Sequence, residues 1–447
     1  MDKAKIQPLK GFRDFLPGEQ KARQKVFGKI RAVFERYGFL PMSTPVLEYK
    51  EILAGKYGEE GDKLMYEFVD RGGREVAMRY DLTVPLARFI AQYKNELAMP
   101  FKRYQIDPVW RADKPQKGRW REFYQCDVDV AGSSSITADA EVIACLDAAM
   151  ADLGIKDRVI RINNRKLLSG IMKEAGVEEK KAGAVIRILD KLERDGEQAV
   201  RGYLAGEGIQ TETADKLFGL INQDLQDAKD LLSKFEGIDG AGELAELLEI
   251  LLLMGVKNYQ ADMTLARGID YYTGTIFEIV LPDAPDFGSV AGGGRYDNLL
   301  GMFLTSPNPS SRGGEKGEVP SRGGEKREVP AVGGSIGIDR LLSALEELEL
   351  IKYDLVFDVL VANLDESLSS RYLEIAKKLR EAGIKTDLYY ESDKLEKQLK
   401  YADKKNIDYA VLVGTDEEAA GEAAVKNMKT GTQEKVKQSK LAEYLEK

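Results

Sequence analysis

The sequence predicts an α+β fold that is interrupted by a helical segment and followed by a separate α/β domain. Three patterns predict this arrangement. Residues 65–130 show antiparallel strand pairs, helical periodicity dominates residues 157–258, and strands alternate with helices from Tyr353 onward. Because 447 residues are too many for one hydrophobic core, we expect two or three domains.

Composition narrows the classes of protein that fit. A hydrophobic fraction of 43%, a net charge of −9 and two cysteines suit a globular protein of the reducing cytoplasm without a disulfide scaffold. The N-terminus lacks a signal-peptide pattern and no apolar run could span a bilayer, so we expect a cytoplasmic protein without membrane contact. The chain contains no histidine, which excludes imidazole bases, Ser–His pairs and histidine-bound metals.

The first elements are a helix, an extended segment and a hairpin. Residues 19–37 have the apolar spacing of a helix, and residues 38–49 are extended but contain two prolines, which favours an edge strand or an irregular join. A hairpin is predicted from residues 65–69 and 75–80. Asp81 and Thr83 follow, where a strand gives way to a helix. Asp81 fits an N-cap, and it also fits a carboxylate that holds the ammonium group of a ligand.

Residues 101–130 read as strand, basic loop and strand. Arg111 closes the first strand, and Asp113 is the only acid in a loop with four cations, Lys114, Lys117, Arg119 and Arg121. Along the second strand, four side chains alternate onto one face: Phe123, Gln125, Asp127 and Asp129. Guanidinium forks beside an aromatic ring suit a triphosphate with a stacked base. The alternative is a solvated hairpin loop with Phe123 in the core.

Two later stretches combine polar side chains with unusual backbone. Thr264–Glu278 places Arg267, Asp270, Tyr271 and Tyr272 just before a strand, which suits an anionic, hydrogen-bonding ligand but also a charged edge strand. Three consecutive glycines, residues 292–294, precede Arg295-Tyr296-Asp297 in a strand-like run. Such glycines are unfavourable unless something approaches the backbone closely.

The remaining segments divide into a loop, a strand–helix unit and the C-terminal domain. The decapeptide SRGGEKGEVP is repeated at residues 321–330 with one difference, and its Gly, Pro and charge content predicts a disordered loop over residues 306–330. A strand then runs into a helix with Arg340 in its first turn. Lysines crowd one predicted helix at residues 394–405, which fits a solvated face or a contact to a phosphate backbone.

Five of these stretches together resemble the histidyl-tRNA synthetase family of class II aminoacyl-tRNA synthetases. Gly38–Tyr49, Trp110–Phe123 and Gly337–Arg340 are similar to the three motifs of the class. LARGIDYYTG at residues 265–274 and GGGRYD at residues 292–297 are similar to the signatures of the histidine enzymes. The resemblance covers nearly the whole chain apart from the duplicated loop.

The resemblance implies a domain arrangement. It implies an antiparallel six-stranded sheet flanked by helices, a helical insertion, and a C-terminal α/β anticodon-binding domain. The expected boundaries are residues 1–156 and 259–349 for the catalytic core, 157–258 for the insertion and 353–447 for the anticodon-binding domain. Residues 38–49 are implied to build the interface of a homodimer.

The resemblance also implies substrates and residue roles. ATP with Mg²⁺, L-histidine and tRNA(His) would be the substrates and partners, and the metal ligands stay unknown. Arg111 would contact the ATP α-phosphate, Arg119 and Arg340 the outer phosphates, and Phe123 and Asp113 the adenine. The residues expected around histidine are Asp81, Thr83 and Gln125 at the ammonium, Asp129, Tyr272 and Tyr296 at the imidazole, and Arg267 at the carboxylate. Arg267 and Arg111 would be the catalytic residues.

Two other functions are compatible with the same fold. A synthetase-like regulatory subunit of ATP phosphoribosyltransferase would typically lack the anticodon domain and the catalytic arginines. A tRNA-sensing module would bind uncharged tRNA without charging it. The presence of Arg111, Arg267 and Arg340, and of residues 353–447, favours the enzyme over both.

Overall fold

The computed structural model describes residues 6–116, 118–223, 225, 227–266, 271–304, 329–353 and 357–446. Internal contacts divide the chain into two compact units. The first consists of Met1–Asp14 and Lys25–Ile351, and the second of Phe15–Gln24 and Lys352–Lys447. No helix among the described residues is long and apolar enough to cross a membrane.

The elements before residue 351 are mainly strands of one large sheet with helices around them. The strands are β1 (Leu40–Pro41), β2 (Leu47–Tyr49), β3 (Glu67–Val69), β4 (Glu75–Met78), β5 (Phe101–Trp110), β6 (Glu122–Ala131), β7 (Val159–Asn164), β8 (Tyr259–Ala261), β9 (Thr275–Val280), β10 (Ser289–Arg295) and β11 (Ala331–Gly337). The helices are α1 (Pro17–Arg36), α2 (Lys50–Leu53), α3 (Gly58–Lys63), α4 (Thr83–Tyr93), α5 (Ile136–Asp152), α6 (Arg165–Glu174), α7 (Glu179–Leu189), α8 (Leu192–Gly206), α9 (Thr211–Ile221), α10 (Ala228–Lys234), α11 (Ala241–Leu253), α12 (Asp297–Leu304) and α13 (Ile338–Glu347).

The large sheet has the strand order β1-β5-β6-β11-β10-β9-β7-β8. The six central strands are β5, β6, β11, β10, β9 and β7, and each pairs antiparallel with its neighbours among these six. The short strands β1 and β8 pair parallel at the two edges. The expected six-stranded antiparallel sheet is therefore confirmed, and it gains one short parallel strand on each side.

The two faces of this sheet have different chemistry. On one face, Cys126, Val128 and Val130 of β6 belong to a large apolar core that also includes side chains of α1, α5 and α13. On the other face lie Gln125, Asp127 and Asp129 of the same strand. Because side chains alternate along a strand, packing one face on helices leaves the polar row on the opposite face.

The segment predicted to be helical begins differently from expectation. Val159–Asn164 is a strand of the large sheet, and the helices follow it from α6 to α11. Ile160 and Ile162 are fully buried. Their period of two over six residues is the signal of this strand, and the longer helical periodicity after it hides that signal in the sequence.

A small second sheet supports the start of α4. Its order is β2-β4-β3, and the predicted hairpin is confirmed as β3 and β4, which pair antiparallel. Asp81 lies between β4 and α4. Its Oδ1 accepts hydrogen bonds from the backbone N–H groups of Thr83 and Val84, at 3.2 and 3.1 Å, as a capping carboxylate does.

The second unit holds the predicted alternation of strands and helices. Its elements after residue 352 are β12 (Val359–Val361), α14 (Ser369–Glu381), β13 (Thr386–Leu388), α15 (Leu395–Lys404), β14 (Tyr409–Leu412), α16 (Thr415–Ala420), β15 (Glu422–Asn427), β16 (Gln433–Lys437) and α17 (Leu441–Leu445). The order is β13-β12-β14-β15-β16. β12 pairs parallel with β13 and β14, and β14, β15 and β16 pair antiparallel.

Candidate active site

A cavity of about 140 Å³ opens on the polar face of the large sheet. Its floor is backbone of β10 and β11, including Gly292, Gly333 and Gly334, and the acidic row of β6 forms one wall. The other lining residues come from the α4 junction, the end of β5, the segment before β9, the end of β10 and β11: Asp81, Thr83, Arg111, Tyr271, Tyr272, Tyr296 and Ser335. The structure thus brings most of the predicted histidine-site residues together in one cavity.

The glycines let this floor lie close to the side chains around it. A Cβ atom on Gly333 would lie 1.8 Å from Oδ1 of Asp129, and one on Gly294 would lie 3.0 Å from the Tyr272 ring. A Cβ atom on Gly293 would lie 2.1 Å from the carbonyl oxygen of Gly333 on the neighbouring strand. The close approach expected at residues 292–294 is therefore made by adjacent strands and by the Tyr272 ring.

A buried arginine organises the acidic row. Arg103 of β5 is 0% exposed and pairs across the sheet with Asp129. Its Nη2 lies 2.7 Å from Oδ2 of Asp129 and 4.0 Å from Oδ2 of Asp127, and it donates to the carbonyl oxygen of Leu82. One cation therefore serves two buried carboxylates, and the cluster keeps an excess of negative charge.

Burial dominates the protonation of this pair. Desolvation raises the pKa of Asp127 to about 7, although the Arg103 charge opposes the shift and the neighbouring Asp129 charge adds to it. Desolvation also raises the pKa of Asp129, against the Arg103 charge and the hydrogen bond from Tyr296. A bound cation would therefore favour the ionised state of both carboxylates.

Tyrosine hydroxyl groups connect the cavity walls. Tyr296 donates its hydroxyl to Oδ1 of Asp129. Tyr57 and Tyr271 donate to the two oxygens of Asp81, at 3.0 and 3.3 Å. Desolvation holds the pKa of each of these phenols above its ordinary value, so all three remain hydrogen-bond donors at neutral pH.

The backbone position of Tyr296 is fixed by its neighbour. Arg295 is buried and pairs with the buried carboxylate of Asp139 on α5. It also donates to the backbone carbonyl oxygens of Ser133 and Ser135 at 3.0 and 3.1 Å. These contacts attach the end of β10 to the start of α5, which explains the charged residue that precedes Tyr296.

Arg111 lies at the rim between the cavity and the β5–β6 loop. Its Nε donates to the carbonyl oxygen of Tyr80 at 3.0 Å. Its guanidinium lies 4.3 Å from the centre of the Tyr80 ring and 5.1 Å from the centre of the Phe123 ring. Phe123 is half-buried and does not belong to the apolar core. Its position fits an aromatic surface beside an arginine better than a core side chain under a solvated loop.

The other predicted ATP residues cluster at the same loop. Arg119 forms a two-pronged pair with Asp113, with Nη2 2.9 Å from both carboxylate oxygens. Arg340 of α13 donates to the carbonyl oxygen of Ser289, and its side chain lies against Gly118 of the loop. Asp113 therefore orders Arg119, and both arginines border one loop.

Part of the predicted site lies outside the described residues. Arg267 and Asp270 fall in residues 267–270, Lys117 is likewise outside, and so are residues 305–328 of the duplicated loop. No group of three metal-binding side chains occurs among the described residues.

Five side chains that line or support the cavity were not predicted as site residues: Arg103, Asp127, Tyr57, Tyr271 and Ser335. Asp127 had a signal, because it alternates with Gln125 and Asp129 on one strand. Arg103 had none beyond its place in a strand, since arginine is rarely buried completely.

Comparisons with known proteins identify the family of this chain. A family model described as histidyl-tRNA synthetase matches residues 11–341, and a model of an anticodon binding domain matches residues 358–447. The histidine–tRNA ligases of Gloeobacter violaceus and Rhodopirellula baltica are each 41% identical over 95% of this chain, and the matches cover 95% and 94% of their lengths. The crystal structure of histidyl-tRNA synthetase from a Nostoc species matches with a TM-score of 0.82 and 32% identity, over 99% of both chains. The chain belongs to the histidyl-tRNA synthetase family.

Proposed function

We propose that the cavity binds histidine, and that the arginines at its rim bind ATP, in the ATP-dependent attachment of histidine to tRNA that defines the family. The observation that supports this most is the cavity itself. Its volume suits a single amino acid, and it is lined by hydrogen-bond acceptors and tyrosine hydroxyl groups. It adjoins Arg111 at the start of the loop between β5 and β6. Buried acceptors of this kind reject ligands that cannot donate to them, because unpaired polar groups are costly.

At the histidine end, the proposed contacts follow the lining of the cavity. Asp81, Thr83 and Gln125 would surround the ammonium group, and Asp129 and Tyr272 would bind the imidazole. Tyr296 holds Asp129 by its hydroxyl and would support that contact. An imidazole N–H that faces a carboxylate and a phenol would distinguish histidine from amino acids without two ring nitrogens.

At the ATP end, Arg111 would contact the α-phosphate and Phe123 the adenine ring. Arg119 and Arg340 border the same loop and would take the outer phosphates, while Asp113 orients Arg119. Guanidinium groups suit this task because they stay charged and present several donors in a planar fork.

The proposed reaction needs no imidazole base. A carboxylate oxygen of histidine attacks the α-phosphorus of ATP and pyrophosphate leaves. The 3′-hydroxyl of tRNA then attacks the adenylate carbonyl, the mixed-anhydride bond breaks and AMP leaves. Both transition states gather negative charge on oxygens, and fixed guanidinium groups such as Arg111 and Arg267 would stabilise it. A phosphate oxygen can accept the proton of the hydroxyl, which agrees with a chain that contains no histidine.

Mg²⁺ is part of the proposal as a companion of ATP. The described side chains include no group of three metal ligands, so they do not form a cage for the ion by themselves. Mg²⁺ is usually held by phosphate oxygens and waters with only one or two carboxylates, and it would offset phosphate charge when bound.

Two parts of the chain are proposed to bind the macromolecular partners: the second unit binds tRNA, and residues 38–49 contact a second copy of the chain. The match of residues 358–447 to an anticodon binding domain supports tRNA(His) as the partner of the second unit. That match, together with Arg111 and Arg340, argues against a regulatory subunit of ATP phosphoribosyltransferase. We place the protein in the cytoplasm as a homodimer whose interface includes residues 38–49.

ATP–pyrophosphate exchange across the twenty amino acids tests the proposal. Exchange that depends on histidine alone is the expected result. No exchange with any amino acid would overturn the enzyme function and favour the regulatory one, and exchange with another amino acid would overturn the assigned specificity.

A single substitution tests the proposed catalytic charge. Arg267→Ala should lower exchange by at least about a hundredfold, because it removes the charge proposed at the histidine carboxylate and the α-phosphate. Its circular dichroism should match that of the unaltered protein. Exchange within about threefold of the unaltered protein would contradict the role of Arg267.

A further inference from the structure

Residues 10–13, which precede α1, contact the loop between β5 and β6. The carbonyl oxygen of Gly11 accepts the backbone N–H of Arg121 at 2.8 Å, and the carbonyl oxygen of Lys10 accepts from Nη1 of the same arginine at 3.2 Å. Gly11 has a φ of +90°, and a Cβ atom there would lie 2.8 Å from Cδ of Arg121. This position therefore favours glycine, which lets the segment approach the loop so closely.

Arg121 connects this segment to the residues proposed to bind ATP. Its Nε donates to the carbonyl oxygen of Asp113 at 3.0 Å, and its own carbonyl oxygen accepts the backbone N–H of Arg111 at 2.9 Å. The side chain of Asp113 in turn pairs with Arg119. Hydrogen bonds thus link residues 10–13 to the point where the chain leaves β5 and to the carboxylate that orders Arg119.

Arg13 joins the same loop to the start of α13. Its guanidinium forms an ion pair with Asp339 and lies 4.0 Å from the centre of the Trp120 ring. The side chain of Asp339 is 4% exposed, and its Oδ2 accepts the backbone N–H of Tyr124 in β6 at 3.1 Å. Asp339 directly precedes Arg340. Arg13 therefore contacts both a loop side chain and a buried carboxylate beside the arginine proposed at the outer phosphates.

The charge of Arg13 is already compensated by a buried carboxylate. A phosphate would have to compete with Asp339 for this guanidinium, and removing one partner from a buried ion pair is costly. Arg119, by contrast, is 42% exposed although it pairs with Asp113. The histidine cavity is lined by other residues. The position of Arg13 thus suits a support for the loop better than a contact to either substrate.

We propose that Arg13 is a positioning residue for ATP, which holds the β5–β6 loop against the start of α13 so that Arg119 and Arg340 face one triphosphate. This assignment rests on the proposed function. A loop that is already fixed loses less conformational freedom when it closes on a ligand, so these contacts strengthen ATP binding. They leave histidine binding unchanged, because the cavity lies on the polar face of the sheet and is lined by other side chains.

Calorimetry of the full chain with two separate ligands tests the assignment. The first ligand is the magnesium complex of α,β-methylene-ATP, in which the bond that would break cannot be cleaved, and the second is histidine. Arg13→Gln should weaken binding of the ATP analogue by at least about fivefold and leave histidine binding within about twofold. Arg13→Lys keeps the charge that pairs with Asp339, so it should recover part of the lost affinity.

Two further variants separate positioning from a direct contact. Asp339→Asn breaks the same pair from its other side, so Arg13→Gln combined with it should bind the analogue no more weakly than the weaker single variant. Losses that multiply would show independent roles and overturn the assignment. Gly11→Ala pushes the segment from Arg121 without touching Arg13, and it should also weaken the analogue selectively.

Arg158→Gln is the matched control, because Arg158 pairs with Asp147 of α5 and donates to the carbonyl oxygen of Ile155. It should leave both dissociation constants unchanged. Equal losses for both ligands in Arg13→Gln would show a general structural role and overturn the assignment, and so would unchanged binding of the analogue.

Failure of this inference can be distinguished from failure of the proposed function. If the unaltered protein binds both ligands but shows no pyrophosphate exchange, the enzyme function fails while the effect of Arg13 on the analogue is still measured. If exchange occurs with histidine and Arg13→Gln binds the analogue normally, only the positioning role fails. An unaltered protein that does not bind the analogue would overturn both.

Discussion

At the residue scale, Arg103 shows why the acidic row of β6 can exist at all. Two carboxylates on one strand face would repel each other in an environment with little water, and a fully buried guanidinium 2.7 Å from one and 4.0 Å from the other offsets part of that cost. Alternation along β6 predicts which side chains share a face, and it placed Gln125 and Asp129 correctly. It gives no information about the cation on β5, because the sequence does not show which strand pairs with β6.

The stability of the protein should depend on pH through Asp127. Its pKa is raised to about 7 in the folded protein from an ordinary value of 3.8. The folded state therefore binds this proton more tightly than the unfolded state. The folded protein loses stability as the pH rises from the ordinary pKa of 3.8 to the raised pKa of about 7. Asp127→Asn removes the cost of burying the ionised carboxylate, so it should raise the free energy of unfolding at pH 8. The gain at pH 8 should exceed the gain at pH 5 by on the order of 2 kcal/mol.

Urea unfolding followed by tryptophan fluorescence measures this difference. Both tryptophans, Trp110 and Trp120, belong to the first unit and report its unfolding. A gain that is the same at pH 5 and pH 8, or larger at pH 5, would show that the Asp127 carboxylate does not carry the penalty.

At the element scale, the sheet could be predicted where its strands are long and alternate clearly. The pair β5 and β6, the hairpin β3 and β4, and the strand before Arg340 all follow from such patterns. β1 and β8 have only two and three residues, which is too short for a periodic signal. The triple glycine of β10 predicted a close approach, but the partner strand β11 could be identified only from the structure.

The glycines of β10 make a direct prediction about packing. Gly293→Ala would place a methyl group 2.1 Å from the backbone oxygen of Gly333, so the neighbouring strand must move. We expect a loss of about 2–4 kcal/mol in the free energy of unfolding, since overpacking against backbone cannot be relieved by a rotamer change.

A second glycine provides the control for this prediction. Gly202 lies in α8, and a Cβ atom there would contact nothing within 4 Å. Gly202→Ala should leave stability unchanged or raise it by up to about 1 kcal/mol, because alanine favours a helix. If both variants unfold at the same urea concentration, the strand contact at Gly293 is not tight.

At the scale of the whole molecule, the small sheet β2-β4-β3 presents an apolar face. The strand register places Leu47 and Tyr49 of β2 and Phe68 of β3 on the same side, around Val76 of β4. Their side chains are 42%, 52% and 48% exposed. Clustered exposed apolar residues on a short sheet mark an interaction surface, and β2 is the last part of the motif-like residues 38–49.

A second copy of the chain is the partner proposed for this face, and charge introduced there should prevent association. The double substitution Leu47→Glu and Phe68→Glu places two carboxylates in an interface that would bury apolar side chains, which is strongly unfavourable. We expect the unaltered protein to sediment as a dimer and the variant as a monomer, with histidine-dependent pyrophosphate exchange falling at least about tenfold. Tyr390→Glu, at a side chain 82% exposed in the second unit, is the matched control and should remain dimeric and active. An unaltered protein that sediments as a monomer, or a double variant that stays dimeric, would exclude this face as the interface between two copies.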